Sequence, residues 1–229
     1  MTAHAEVSEY TVMRTTGKVI IDGVLDEEDW QAAPACSPFV FPWWKEGEKK
    51  QTEVKMLWDD TFLYLSYRCD DSYIWAEYYD TNSATCLDDC VEIFWDPNPG
   101  DPRRKYNMFE MNCIGNVLSV YVGSGMSIKE KVSRIMVPHI AQNIMGTVND
   151  DSDVDTGWIL EIAIRFSDYT ELFDGSTPDE DAMWRVGLNR CGGKTNVQES
   201  QWSPSLTGND SFHRPEDFGK VFFSMKKVR

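Results

Sequence analysis

Apolar and polar residues alternate with period two along much of the chain, the repeat of strands that bury one face. Val54, Met56 and Trp58 point one way and Glu53 and Lys55 the other. Asp59-Asp60 then turns the chain into FLYLSYRC, Phe62 to Cys69, the second arm of a hairpin. CVEIFWD (Cys90 to Asp96) and YNMFEMNC (Tyr106 to Cys113) predict the next two strands, separated by the turn-rich PNPGDPRRK. Val117 to Val122, Trp158 to Phe166, Trp184 to Arg190 and Lys220 to Met225 continue the pattern, and the acidic run Asn149 to Asp155 reads as a hairpin loop. Helix signals are short: Asp26 as the cap of a turn through Trp30, and Ser167 as the cap of one through Tyr169 to Phe173. With no long amphipathic helices between the strands, parallel βαβ architectures are disfavoured. The pattern predicts an all-β fold, an antiparallel β-sandwich of jelly-roll or immunoglobulin-like type with one or two short helices.

Strand parity separates two faces. Val91, Ile93 and Trp95, with Phe109 and Met111 and with Trp184, Val186 and Leu188, mark a core face. The opposite face carries Glu92, Glu110, Asn112 and Asn189 among apolar neighbours. That face is either an ordinary solvated sheet surface or a hydrogen-bonding floor. Trp30, Trp58, Trp95, Trp158 and Trp184 fall on core parity, whereas Tyr73, Trp75, Tyr78 and Tyr79 cluster in a polar loop that reads as a binding surface. Trp43-Trp44, beside Pro42, reads as a platform or as a lid over a sandwich edge.

Composition narrows the functional classes. The 229 residues hold 22 Lys+Arg against 38 Asp+Glu, a net charge of −16, so phosphate backbones and anionic membrane surfaces would be repelled. At 41% hydrophobic and 26% charged the chain is globular, not disordered, and no apolar run approaches the length of a membrane span. Six cysteines at scattered spacings form no small-domain disulfide framework and read as reduced thiols packed in strands. The absence of CxxC and the presence of only three histidines argue against zinc. Met1 to Gly17 has no apolar core of a secretory signal, so a cytoplasmic address is expected.

Ordered motifs then become recognisable. IDGVLDEEDW (Ile21 to Trp30) resembles the opening of family 9 carbohydrate-binding modules, VKMLWDDTFLYLSYRCDD their first hairpin, and LDDCVEIFWDPN (Leu87 to Asn98) their central strand. FEMNCIGNV, GWILEIAIRF, WRVGLNR, QWSPS and FHRPEDFGKVFF continue the likeness in order, so that residues 16–229 form the domain and residues 1–15 an N-terminal extension. The wider relatives are the DOMON-like β-sandwiches. The resemblance implies non-covalent binding of a mono- or oligosaccharide, its C–H face stacked on aromatics and its hydroxyls met by carboxylate and amide groups. It places the ligand-binding residues at Glu92 and Asn112 and, late in the chain, at Asn209 and Phe212. The adjacent loop offers Trp75 and Tyr78; Glu110, Arg190, Trp202 and His213 complete the expected set. Cys86 stands near the position of a frequent family tryptophan, and Glu110 where the family has an arginine, departures that leave open a changed specificity or the loss of the sugar site.

Rival readings accompany that one. Asp89 with Glu92 or Glu110 could form the carboxylate pair of a glycan-active enzyme, although the odd spacing of Asp89 and Glu92 puts them on opposite faces of a regular strand. Asp88 and Asp89 read otherwise as turn anchors or as ligands of a structural calcium ion. A haem-binding DOMON-like domain would draw on Met108 and His213, and a protein-interaction module on the same aromatic rim. QWSPS lacks a nucleophile elbow, so a serine hydrolase is disfavoured. No catalytic residue is expected, and no cofactor other than the structural calcium ion that the acidic loops leave open. A separately encoded glycoside hydrolase is the expected functional partner, with no nucleic acid and no membrane.

Overall fold

Thirteen strands join into one curled sheet in a computed structural model that describes residues 6–36, 38–101, 106–122, 132–133, 137–169, 177–208 and 210–228. In chain order they are β1 (Glu9–Arg14), β2 (Ala35–Cys36), β3 (Thr52–Trp58), β4 (Phe62–Asp70), β5 (Cys90–Asp96), β6 (Tyr106–Asn112) and β7 (Val117–Val122). The rest are β8 (Val132–Ser133), β9 (His139–Met145), β10 (Gly157–Arg165), β11 (Met183–Cys191), β12 (Glu199–Gln201) and β13 (Gly219–Lys227). The path runs β8-β7-β6-β5-β11-β13-β1-β3-β4-β10-β9, with β12 beside β11 and β2 beside β3. The predicted strands are present to within about a residue or two of the expected limits.

The expectation of a purely antiparallel sandwich is corrected at the join between the two halves. β1 lies parallel to both β13 and β3. The cause is the connection: the chain leaves β1 and returns to β3 by a crossover through α1 (Glu28–Ala32), and a parallel pair requires such a crossover where a tight hairpin cannot serve. Residues 9–14, outside the family resemblance, therefore sit in the middle of the sheet path.

The curl brings the apolar faces of the two halves together. Val91, Ile93, Trp95, Phe109, Met111 and Leu188 from one half meet Val54, Met56, Trp58, Leu65, Trp158 and Leu160 from the other in one buried cluster. The five tryptophans assigned to the core by parity are all buried there or, for Trp30, in a second cluster beneath α1. Asp26 does not cap α1: Glu27 occupies the cap position, with no side-chain hydrogen bond. Ser167 likewise lies inside a 3-10 turn, Phe166–Tyr169, instead of starting a helix; residues 170–173 are outside the described set.

The other face of β5, β6 and β11 is not solvated. Every residue of β5 and β6 is buried. At one end Phe94, Tyr106, Met108, Val120 and Phe218 form a third apolar cluster, covered partly by Phe212. At the other end lie Glu92, Glu110, Asn112 and Asn189, and over them fold the loops that make the candidate site. All six cysteines are free thiols, five of them buried.

Candidate functional site

The aromatic loop before β5 is held by side-chain oxygens along six consecutive backbone amides. Tyr73 N–H donates to Asp71 Oδ1, Ile74 N–H to Asp155 Oδ2 and Trp75 N–H to Asp89 Oδ2, at 3.2, 2.8 and 2.6 Å. Ala76 N–H donates to Asn149 Oδ1, and Glu77 and Tyr78 donate to the two oxygens of Asp88, at 2.9, 2.8 and 3.1 Å. Such an extended segment has no strand partner for its amides, and buried unpaired amides are costly, so the carboxylates replace the missing ladder. Asp88 and Asp89 are thus turn anchors. The acidic run after β9 has the same task through Asn149 and Asp155.

A cavity of about 470 Å³ opens beside this loop, lined by Trp75, Glu77 and Tyr78, by Cys86 and Leu87, and by the Cys191–Lys194 and Val197–Glu199 stretches. Lys194 reaches over Trp75, its Nζ 4.3 Å from the ring centroid, and pairs with Glu77 at 3.1 Å. Gly193 N–H donates to Asp89 Oδ1 at 2.6 Å. Leu87 and Val197 are exposed apolar side chains at the rim. An indole, a phenol and apolar edges beside carboxylate, ammonium and backbone groups suit a ring with one apolar face and polar edges.

Beneath this floor Glu92 and Glu110 face one another across the β5–β6 register, 3% and 5% exposed. Glu92 accepts from Asn189 Nδ2 at 3.1 Å and from the Cys191 thiol at 3.6 Å. Burial, and next the facing Glu110 carboxyl, raise the pKa of Glu92. Asp89 is raised too, first by burial and then by Asp71. Burial also pushes the Cys86 thiol up to about 12, so it is a poor nucleophile at neutral pH. Among the described residues, no group of three or more His, Cys, Asp or Glu is arranged to hold a metal ion.

The ten expected site residues divide accordingly. Trp75 and Tyr78 line the cavity; Glu92 and Glu110 lie under it. Asn112 holds the loop from below: its Nδ2 donates to Tyr78 O and to Asp88 Oδ2, and its Oδ1 accepts from Asn116 N–H. Arg190 is 1% exposed and points away, paired with Asp71 at 2.8 Å and donating to the Asp70 carbonyl at 2.7 Å. Trp202 is buried edge-on against Tyr10. Phe212 packs on Trp43 at 5.0 Å, and His213 stacks on Phe94 and bonds the Tyr106 hydroxyl. Asn209 lies outside the described residues.

Lys194, Gln198 and Glu199 were not singled out from sequence. The CGGK stretch at Cys191 to Lys194 was the available signal, because paired glycines after a strand mark a close backbone approach. A Cβ on Gly193 would fall 2.8 Å from Asp89 N.

A family model described as carbohydrate-binding family 9 matches residues 23–223. No curated protein matches the chain in sequence. Among solved structures, a Bacteroides uniformis protein proposed to bind carbohydrate superposes with a TM-score of 0.79 at 18% identity, over 96% of this chain and 100% of that one. A family 9 module from Caldicellulosiruptor kristjanssonii superposes at 0.59 and 15% identity, both in its cellotriose complex, over 95% of each chain, and in its glucose complex, over 96% of this chain and 98% of that one. At these identities the likeness is one of fold.

Proposed function

Since the chain belongs to carbohydrate-binding family 9, we propose that it binds a mono- or oligosaccharide non-covalently in the cavity beside Trp75 and performs no bond cleavage itself. The observation that carries this reading is the union, in one preformed hollow, of the Trp75 and Tyr78 rings with the polar groups of Glu77, Lys194 and Glu199. Complexes of the Caldicellulosiruptor module with glucose and cellotriose support the ligand class. The disposition of the acids supports binding over hydrolysis. Both oxygens of Asp89 accept backbone amides, and Glu92 and Glu110 lie beneath the floor instead of flanking a cleft. Delivery of a separately encoded glycoside hydrolase's substrate is the role this activity suits.

The reading is tested by calorimetric titration with glucose, xylose, mannose and galactose and their β-1,4-linked oligomers. Saturable binding to at least one series, reduced tenfold or more in Trp75→Ala, is the expected result. No binding by the unaltered protein, or undiminished binding in that variant, overturns it.

A further inference from the structure

The cavity beside Trp75 does not end at Val197. A second hollow of about 330 Å³ shares Val197, Gln198 and Glu199 with it and continues to Trp43, Trp44, Lys45, Glu46 and Asp210. Three shared residues, taken as a ridge, therefore separate two adjoining clefts, each lined by an indole. Trp75 walls the first and Trp44, 43% exposed, walls the second. Each indole carries a lysine ammonium, Lys194 Nζ over Trp75 at 4.3 Å and Lys49 Nζ over Trp44 at 4.5 Å from the ring centroids.

The second cleft is built, not a gap between idle loops. Gln198 on the ridge clamps the far end of the loop that carries Trp43 and Trp44 twice at Lys50, its Oε1 accepting from Lys50 N–H at 3.1 Å and its Nε2 donating to Lys50 O at 3.4 Å. Val40 and Gln201 exchange both backbone hydrogen bonds, at 2.8 and 3.0 Å. Asn196 Nδ2 donates to Glu48 O, and Trp43 is packed on Phe212. Four attachments hold the aromatic segment in place before any ligand arrives, one to Gln198 on the ridge and the others to Gln201, Asn196 and Phe212, which lowers the ordering cost of binding there.

We propose that the two clefts are consecutive subsites for one saccharide chain of at least two units, with the linkage lying over Val197 and Glu199 as the polar group serving both units. This rests on the reading of the Trp75 cavity as a sugar site and extends it to ligand length. The exposed Val197 side chain lines both clefts and offers an apolar surface for the linkage to cross. Glu199 is exposed beside Lys45 and Asp210, and its carboxylate can accept from hydroxyls on either side. Gln198 is a positioning residue, since its amide is already committed to Lys50.

The experiment compares, by calorimetry, a monosaccharide with its di- and trisaccharide in the unaltered protein, in Trp44→Ala and in Trp75→Ala, within the sugar series that binds. The unaltered protein is expected to bind the disaccharide at least about tenfold more tightly than the monosaccharide, and Trp44→Ala to reduce that ratio to near one. Trp75→Ala should weaken all three ligands. Equal affinity for mono- and disaccharide, or a ratio unchanged in Trp44→Ala, overturns the second subsite and leaves the first standing. Absence of binding to every sugar overturns both. Matched thermal unfolding of the variants separates loss of the subsite from loss of fold.

Discussion

Trp75 and Gly193 both line the candidate cavity and are held by opposite oxygens of a single carboxylate, Asp89, at 2.6 Å each. The spacing of the two walls is thereby set by one buried side chain at the start of β5. Replacement by alanine leaves two buried amides without acceptors, at about 1–3 kcal/mol each when fully desolvated. Asp89→Asn keeps one acceptor and turns an N–H toward the other amide. Both variants are expected to lower the denaturation midpoint, alanine more, and both should weaken sugar binding beyond what the loss of stability explains. Urea unfolding paired with titration checks this; an asparagine variant with unchanged affinity would show that the clamp does not shape the cavity.

The buried Glu92–Glu110 pair predicts a stability that depends on pH. Glu92 is raised from 4.5 to about 8, by burial first and by Glu110 second. The folded state then holds a proton that the unfolded state has released, so the stabilisation is complete below about 4.5 and is lost as pH rises toward about 8. Asp89, raised to about 7, acts in the same direction. Among the described residues, the titratable groups that interact with Glu92 are Glu110, Cys86, Cys90, Cys191, Tyr67, Tyr106 and Glu199, none of them a cation. The unfolding free energy, followed from pH 4.5 to 8, should therefore decline, and Glu110→Gln should make the decline shallower. A rise over that interval would contradict the arrangement.

How far these features could be read in advance differs between the two faces of the same strands. Val91, Ile93 and Trp95 declared the core because strict alternation has no other economical meaning, and they are buried in it. The face with Glu92, Glu110 and Asn112 stayed ambiguous, since parity records which residues share a side but not what covers that side. The cover comes from loops, whose contacts run over long sequence distances: Asp89 to Gly193, Asp155 to Ile74, Gln198 to Lys50. β9 was missed because His139–Met145 lies at an edge, half-exposed on both faces, and so has no alternation to show. β12 is three residues long. Arg190 reads in the sequence as a donor to a ligand or to a carboxylate such as Glu92 or Glu110, but the carboxylate it meets is Asp71. Its partner Asp71 follows β4 in the other half of the sheet, and only the packing of the two halves brings it to β11.

That ion pair carries its own prediction. Arg190 and Asp71 are 1% and 2% exposed in their side chains, and Asp71 also accepts the Trp158 indole N–H at 3.1 Å and the Tyr73 amide. Asp71→Ala strands a guanidinium in the interior, which costs about 3–5 kcal/mol. The double replacement Asp71→Leu with Arg190→Met should lose less than the single one, because no charge is left unpaired. Denaturation curves for the three proteins decide it; a double variant as unstable as the sum of its parts would mean that the pair's hydrogen bonds, not its charge balance, set the cost.

Gly193 gives a prediction that joins stability to binding. A Cβ there would lie 2.8 Å from Asp89 N, 3.1 Å from Asp88 C and 3.2 Å from Asp89 Oδ1. The first two are backbone atoms at the head of a buried strand, unable to yield as the end of a flexible side chain would. Gly193→Ala should therefore push the Cys191–Lys194 wall outward and stretch the bond to Asp89. The expected cost is about 1–3 kcal/mol, the range of overpacked interiors. Gly17→Ala is the control, since a Cβ at Gly17 meets nothing within 4 Å and should change neither quantity. If the Gly193 variant unfolds earlier yet binds sugar as before, the wall is tolerant and only packing suffers. If affinity falls with stability, Gly193 is glycine because the carboxylate that positions Trp75 must approach its backbone this closely.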